Sequence, residues 1–308
     1  MNQNIKANKH PGSVKPSTIE MFKRHGWRLD RTLHNFVYFY FYVPYVKSAL
    51  IGTRFITKYL YWFKPMKYVS QMIFDRYHGK VLSSNDIKKI LTLNKTITLP
   101  PDQYKKIIPY KYANKILFKN PTLIAVMDCP CKINNNAPCR PINACIAIGQ
   151  DFAPLWVEHC QKYNARYISQ DEALDIIQTL RASGHITQAF LKVATGGLTG
   201  VICNCCPKCC VCMEASKLSK KVDPGLSMIA PSGYQTKHHP DKCNYCGECA
   251  SICPFEAIEI RNDSYFYDVR KCMGCELCVE KCPNQAIELC NALGEFLPLD
   301  ISQGIETQ

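Results

Sequence analysis

Acidic side chains are scarce at the start of this 308-residue chain: residues 1–120 hold 5 Asp/Glu against 22 Lys/Arg, a net charge of +17. Residues 121–308 reverse the balance, with 20 acidic against 16 basic groups. Long apolar runs are also missing. The richest stretch, residues 33–46, is interrupted by His34, Asn35 and Pro44, and a membrane-spanning helix needs about 20 predominantly apolar residues with few charges. Residues 1–26 lack the apolar core and small-residue cleavage site of a secretory leader. A disulfide-braced secreted protein is therefore not expected, and the thiols are assigned to a reducing, cytoplasmic compartment. No catalytic order of Ser, His and Asp stands out, and Gly196-Gly197-Leu198-Thr199-Gly200 has the spacing of neither a dinucleotide loop nor a P-loop, so it reads as a turn.

Cysteine is what the chain has in excess. It holds 20, of which 15 fall between Cys203 and Cys290, and such crowding in a reducing compartment points to metal ligation. A length of 308 residues suggests two or three domains. The expected class is α+β, in four parts. Residues 1–120 form a basic, aromatic-rich N-terminal arm, and 121–222 a small cysteine-rich mixed α/β domain. Residues 234–291 form a second cysteine-rich domain, and 292–308 a C-terminal tail. Within the arm, residues 1–30 read as a polar tail and 85–120 as a connector over a surface. Its Tyr, Trp, Lys and Arg side chains suit either of two roles, packing on the protein or a partner, or lying at a lipid headgroup boundary.

Within 121–222, residues 122–127 read as a buried strand that delivers Cys129 and Cys131 to a loop. Helices are expected near 152–163 and 171–182. The second has a capping box at Ser169 and Glu172 and a left-handed stop at Gly184. Strands are expected at 185–191, where His185 is read as a strand residue, and at 198–203.

The last seventy or so residues contain a repeat: Cys243 to Glu259 aligns without gaps on Cys272 to Glu288, at an offset of 29. Each copy reads Cys-x2-Cys-x2-Cys-x3-Cys-Pro. Three thiolates at this spacing converge on one cubane when the backbone wraps it, and the fourth is carried toward the other cluster. The ligand sets expected are therefore Cys243, Cys246, Cys249 and Cys282 for one 4Fe-4S cluster, and Cys272, Cys275, Cys278 and Cys253 for the other. Gly247, Ala250 and Gly274 leave room for backbone amides near the sulfurs. This pattern resembles the bacterial-type ferredoxin domain with two 4Fe-4S clusters, over residues 234–291. The resemblance implies a fold of β-hairpins and short helices and low-potential, one-electron transfer between neighbouring clusters.

Ten upstream thiols form two patches: Cys129, Cys131, Cys139 and Cys145, then Cys203, Cys205, Cys206, Cys209, Cys210 and Cys212. They exceed what one tetrahedral ion uses, so one or two additional iron-sulfur clusters are expected; zinc and free or redox-active thiols are the alternatives. Adjacent cysteines in extended chain point to opposite sides, whereas Cys129 with Cys131 and Cys203 with Cys205 project alike. Cys206 and Cys209 have the reach to share a metal. The run Cys-Asn-Cys-Cys-x2-Cys-Cys with an upstream Cys-x-Cys resembles that of uncharacterised bacterial and archaeal iron-sulfur proteins that also end in a ferredoxin domain. It is more weakly similar to the paired-cysteine motif of heterodisulfide-reductase-type subunits, departing from it at Pro207 and in having one copy. Cys160 and Cys290 are expected to be core thiols, and His238-His239 a solvated strand end.

Three functions compete. An iron-sulfur electron-transfer protein would pass single electrons to a redox partner protein, its basic arm docking on that partner, another acidic protein or a membrane periphery. A reductase would use an iron-sulfur cluster within 129–212 as its active site. A nucleic-acid binder would use the basic arm, but no recognisable reading motif accompanies the charge, so nucleic acid is not the expected partner.

Overall fold

A computed structural model describes residues 15–27, 29–98, 117–135, 139–192, 199–294, 296–299 and 305–306. The start of the N-terminal tail, the stretch between Thr98 and Leu117, and the Gly196-Gly197 turn lie outside the described residues. Four helices come first: α1 (Pro16–His25), α2 (Leu29–Tyr40), α3 (Tyr42–Phe55), which runs on as a π-helical turn Ile56–Leu60, and α4 (Lys64–Phe74). Then follow β1 (Tyr77–Val81), α5 (Ser84–Leu91), β2 (Ile97–Thr98), β3 (Leu117–Phe118), β4 (Ile124–Met127), the one-turn α6 (Pro130–Ile133), β5 (Cys145–Ile148) and α7 (Ala153–His159). β6 (Arg166–Ile168), α8 (Gln170–Ala182), β7 (Ile186–Lys192), β8 (Thr199–Cys205), α9 (Val211–Lys220) and β9 (Ile229–Ala230) complete this region.

Seven of these strands make one sheet in the order β6-β4-β5-β8-β7-β1-β9, antiparallel at every pairing except β1 with β9. β4 and β5 are buried along their whole length because helices cover both faces. On one face Ile124, Val126, Ile146, Ile148 and Ile202 pack with Ile87, Ile90 and Leu91 of α5 and Ala173 and Ile177 of α8. On the other, Ala125, Met127, Cys145, Ala147 and Val201 pack with Tyr38 and Phe39 of α2, Tyr42 and Val46 of α3 and Trp156 in the middle of α7. The two-residue period of the strands thus sends Cys145 to the face covered by α2 and α3.

The sheet reaches beyond residues 121–222. β1 comes from the stretch assigned to the arm and β9 from the linker after it, because pairing over a long sequence separation leaves no local signal. The arm is no detached extension, since its helices roof one face of the sheet. Within the expected tail, α1 begins with a proline and packs on α7, where Ser17 donates to the Glu158 carboxylate and Thr18 meets His159 at 3.1 Å. Within the expected surface connector, α5 buries Ile87, Ile90 and Leu91. Its start is fixed by a reciprocal box, the Asp86 N–H donating to Ser83 Oγ and the Ser83 N–H to the Asp86 carboxylate, both at 3.2 Å. At α8 only half of the expected box forms: the Glu172 N–H donates to Ser169 Oγ, while the Glu172 carboxylate turns to Arg166. Gly184 ends that segment at φ +81°.

The C-terminal region contains β10 (Tyr234–His238), α10 (Glu248–Ile252), β11 (Ile258–Arg261), β12 (Ser264–Tyr267), α11 (Leu277–Lys281) and β13 (Ile287–Asn291). β10 pairs antiparallel with β13 and β11 with β12. Past residue 291 the chain turns back. Leu299 is buried in the main core, and β14 (Ile305–Glu306) pairs with β2, which pairs with β3. The segment expected to be a tail therefore joins a small three-stranded sheet. No helix among the described residues is long and apolar enough to cross a membrane.

Candidate metal centres

In the C-terminal repeats, Cys243, Cys246, Cys249 and Cys282 line one small hollow with Ile260 and Ile287. Cys253, Cys272, Cys275 and Cys278 form the second group. Burial, with the neighbouring Cys253 and Cys272 thiols adding to it, pushes Cys275 up to about 12, and burial with Cys275, Cys253 and Cys272 raises Cys278. Each group takes one thiol from the other repeat.

The duplication extends to the backbone. The Tyr245 N–H donates to Cys243 Sγ at 3.3 Å, and its counterpart Gly274 N–H to Cys272 Sγ at 3.4 Å. Ala257 N–H to Cys253 Sγ (3.4 Å) and Ala286 N–H to Cys282 Sγ (3.1 Å) form the second matched pair. Left-handed residues also recur at the offset of 29: Tyr245 with Gly274, Gly247 with Glu276, and Glu256 with Gln285. Non-glycine residues adopt this conformation at a cost, so its retention in both copies fits loops shaped around a common object.

The upstream thiols divide into two groups. Cys129, Cys131, Cys145, Cys203, Cys205, Cys210 and Cys212 line a cavity of about 400 Å³ between the sheet end and helices α3, α4 and α9; its opposite wall includes Tyr38, Tyr42, Tyr45 and Tyr77. Cys145 and Cys203 are direct partners in the β5–β8 register. Cys131 rides on α6, not on the loop expected from the sequence, with Cys129 as the residue before that helix. The thiols polarise one another. Cys131 and Cys145 lower Cys129, and Cys131, Cys205 and Cys212 lower Cys210, while Cys131, Cys145 and Cys205 are raised in turn. Cys206 also touches the cavity, but its sulfur lies 3.0 Å from Cys139 Sγ, and Cys139 Sγ lies 3.2 Å from Cys209 Sγ. Burial opposes ionisation of Cys206, yet the His185 imidazole, the Cys139 thiol and the backbone amides of Lys208 and Cys209 outweigh it and bring Cys206 down to about 6.

Apolar packing joins the two cysteine regions. Cys275 shares one buried cluster with Cys205 and Cys210, together with Val81, Ile186, Met213, Ile229, Met273 and Leu277. Polar ties fix the junction. Buried Arg181 donates to the Cys275 carbonyl at 2.8 Å and to the Glu280 carboxylate at 2.7 Å, and the Ser84 N–H donates to Glu276 at 2.6 Å. Gly274 lies against Ser232 and Tyr234, and Ser232 Oγ donates to the Gly274 carbonyl at 2.8 Å.

Sequence reasoning missed His185 as a site residue and missed the cavity wall, where His34 Nε2 lies 2.7 Å from Tyr77 Oη, itself 2.6 Å from Tyr45 Oη. Cys160 and Cys290 lie outside both upstream groups. Cys160 is buried where α7 ends, and the Cys290 thiol faces the Gln235 carbonyl at 3.5 Å. His238 stacks on Tyr265 at 3.9 Å and His239 pairs with Glu288 at 3.2 Å.

The donor chemistry fits iron-sulfur clusters. The sets are thiol-rich, without the carboxylates that hard cations require, and the C-terminal sets also have N–H groups aimed at sulfur. The family described as 4Fe-4S binding domain matches residues 236–259 and 265–288, which contain both four-cysteine runs. No curated protein matches the chain.

Proposed function

We propose that this protein passes single electrons between a redox partner and an iron-sulfur centre in the upstream cavity, through two 4Fe-4S clusters in the ferredoxin-like part. Cys243, Cys246, Cys249 and Cys282 hold one cluster, and Cys272, Cys275, Cys278 and Cys253 the other. The seven cavity cysteines hold the additional centre. A bound cubane supplies reversible one-electron exchange with little change in its surroundings. The chain's own residues hold thiolate charge, through amides such as those of Tyr245 and Gly274, and keep water out of the junction. The observation that carries the reading is the shared apolar cluster of Cys275 with Cys205 and Cys210, which supports passage from the second ferredoxin set to the cavity. Iron analysis of anaerobically prepared protein tests it. Cys246→Ala and Cys275→Ala should each remove about four irons per chain, with electron delivery to the cavity centre lost in Cys275→Ala. Cys290→Ala should leave iron unchanged. Equal iron loss in all three variants would refute the ligand assignment.

The cavity favours a second reading, in which this centre reduces a bound molecule. Away from its cysteines, the cavity of about 400 Å³ is walled mainly by Tyr, Val, Ile, Phe and small side chains, so the part that the centre leaves unfilled suits an uncharged, mostly apolar substrate, and the Tyr45–Tyr77–His34 chain places exchangeable protons at its wall. Gly52 lines this space with nothing within 4 Å of a Cβ built there. Gly52→Phe should therefore block turnover of such a substrate while leaving reduction of the iron-sulfur centres intact; unchanged turnover would sink this reading.

The arm is proposed to dock on an anionic lipid surface. Its outer side exposes Phe55, Tyr59, Trp62, Phe63 and Tyr68 close in sequence to Lys58, Lys64 and Lys67, the composition that favours a headgroup boundary.

A further inference from the structure

We infer that Cys139, Cys206, Cys209 and His185 form a separate site for one tetrahedral zinc ion, not part of an iron-sulfur cluster. The argument begins with spacing. Cys139 Sγ is 3.0 Å from Cys206 Sγ and 3.2 Å from Cys209 Sγ. The ligand atoms of Cys139, Cys206 and His185 all lie within 4.8 Å of one another. Zinc-sulfur bonds of about 2.3 Å in tetrahedral geometry place two thiolates roughly 3.8 Å apart, so this is the scale of a single ion. A cubane distributes its four thiolates over four separate irons and needs them further apart. The same protein supplies the comparison. Among the described residues, no three cysteines of either ferredoxin set, nor of the seven in the cavity, gather within 4.8 Å as Cys139, Cys206 and His185 do.

His185 gives the second, independent indication. It is buried, no oxygen or nitrogen atom bonds either ring nitrogen, and the group its imidazole bears on is the Cys206 thiol. A buried imidazole satisfied by nothing stronger than a thiol costs free energy, and ligation of a metal by one nitrogen removes that cost. The position is built by the fold: Gly184 ends the α8 segment in the left-handed region, and the next residue, His185, leads into β7 beside the end of β8. Cys206 and Cys209 lie on the turn after β8, where the Lys208 N–H donates to Cys206 Sγ at 3.4 Å. Cys139 comes from the Asn- and Pro-rich loop, and nearby Asn135 Nδ2 donates to the Lys208 carbonyl at 3.3 Å.

Cys139, Cys206 and His185 supply three ligands already gathered to the scale of one ion, and the Cys209 thiolate, which meets Cys139, is the fourth, giving the closed four-coordinate shell of a structural zinc site once it draws in. The ion's role is to pin three separate parts of the chain: Cys139, the entry to β7, and the 206–209 turn. Cys205 and Cys210 immediately flank Cys206 and Cys209 but point into the cavity, so the ion also fixes the backbone from which those two thiols project. This assignment is independent of the electron-relay reading, because it concerns a different metal and a different set of residues.

The test uses the full chain, prepared anaerobically, with zinc and iron measured together. Wild-type protein should contain one zinc per chain in addition to its iron. His185→Ala and Cys139→Ser should each lose that zinc and keep their iron. His185→Cys, which restores a four-ligand shell, should retain it and thereby separates ligation from misfolding. Zinc-edge X-ray absorption should find three sulfurs at about 2.3 Å and one nitrogen at about 2.0 Å, becoming four sulfurs in His185→Cys. Loss of about four irons with Cys139→Ser, zinc content indifferent to His185→Ala, or absence of zinc from both wild type and His185→Cys would overturn the assignment.

Discussion

Gly247 and Gly274 both occupy the left-handed region, at φ +80° and +63°, yet replacing them with alanine should have very different consequences. The repeat itself calibrates the backbone cost: Glu276 takes the place of Gly247 in the second copy, and Tyr245 takes that of Gly274 in the first, both at positive φ. The fold therefore tolerates a side chain in either conformation, at roughly 1 kcal/mol. What differs is space. A Cβ on Gly247 meets nothing within 4 Å, whereas a Cβ on Gly274 would lie 2.2 Å from Ser232 Oγ and 2.3 Å from the Tyr234 carbonyl oxygen. Ser232 Oγ can rotate away only by giving up its bond to the Gly274 carbonyl, and the Tyr234 backbone is held in β10 against β13. Overpacking against such neighbours adds about 1–3 kcal/mol, so Gly274→Ala should cost roughly 2–4 kcal/mol in total and Gly247→Ala about 1. In a domain of this size that separates the two apparent melting temperatures by roughly 5–20 °C. The assay is thermal unfolding at one scan rate under anaerobic conditions, followed by the visible absorption of the iron-sulfur chromophore. Because Gly274 lies between Met273 and Cys275 of the junction cluster, the variant should also slow reduction of the centre proposed for the cavity. Equal melting temperatures for the two variants would show that the Ser232–Tyr234 contact does not constrain the loop.

Arg181→Met should weaken the junction by roughly 2–4 kcal/mol, because it removes the donor to the Cys275 carbonyl and leaves Glu280 without its partner. Denaturant unfolding should show this loss, and Glu280→Gln in the Arg181→Met background should recover part of it. Lys80 is fully buried, donating to the carbonyls of Pro231 at 3.1 Å and Leu297 at 2.8 Å. Burial, only partly offset by Asp86, brings its ammonium down to about 7 from 10.5. Between those values the folded chain binds fewer protons than the unfolded one. Stability should therefore rise with pH from about 7 toward 10, by at most about 1.4 kcal/mol per pH unit, and the penalty should be complete below 7. Lys80→Met should remove that slope from pH-dependent unfolding curves; an unchanged slope would contradict the assignment. Sedimentation with vesicles containing anionic lipid should retain the protein in low salt and release it as ionic strength rises. Combined Trp62→Ala and Tyr68→Ala should weaken retention several-fold, and equal binding to neutral vesicles would refute lipid docking by charge.

What could be read from the sequence was whatever is encoded locally. The duplicated cysteine spacing announced the ferredoxin-like part, and the apolar run before Asp128 announced β4. The stop at Gly184 is a one-residue signal, and φ there is positive as expected. What escaped was set by distant partners. β1 enters the sheet only through pairing with β7, more than a hundred residues later. α5 did carry local signals, Ser83 three residues before Asp86 and Ile87, Ile90 and Leu91 at helical spacing, but its lysines and the prolines further on drew the reading toward a surface connector. His185 looked like an ordinary strand residue because nothing within ten residues of it is a cysteine; its neighbours Cys139 and Cys206 arrive from the segments before β5 and after β8. Among the upstream cysteines, spacing suggested which pairs project alike, but the division into a group of seven and a group of three with a histidine required the folded sheet end.

That division has a consequence for how the stretch from Cys203 to Cys212 can vary. Its thiols are sorted about the turn after β8: Cys205 and Cys210 line the cavity, while Cys206 and Cys209, each one position away, meet Cys139. Inserting or deleting a single residue within this turn would displace the sulfurs that follow it, and with them ligands of both proposed centres at once. The segment is therefore insensitive to the identity of an exposed residue such as Lys208 but intolerant of any change in length.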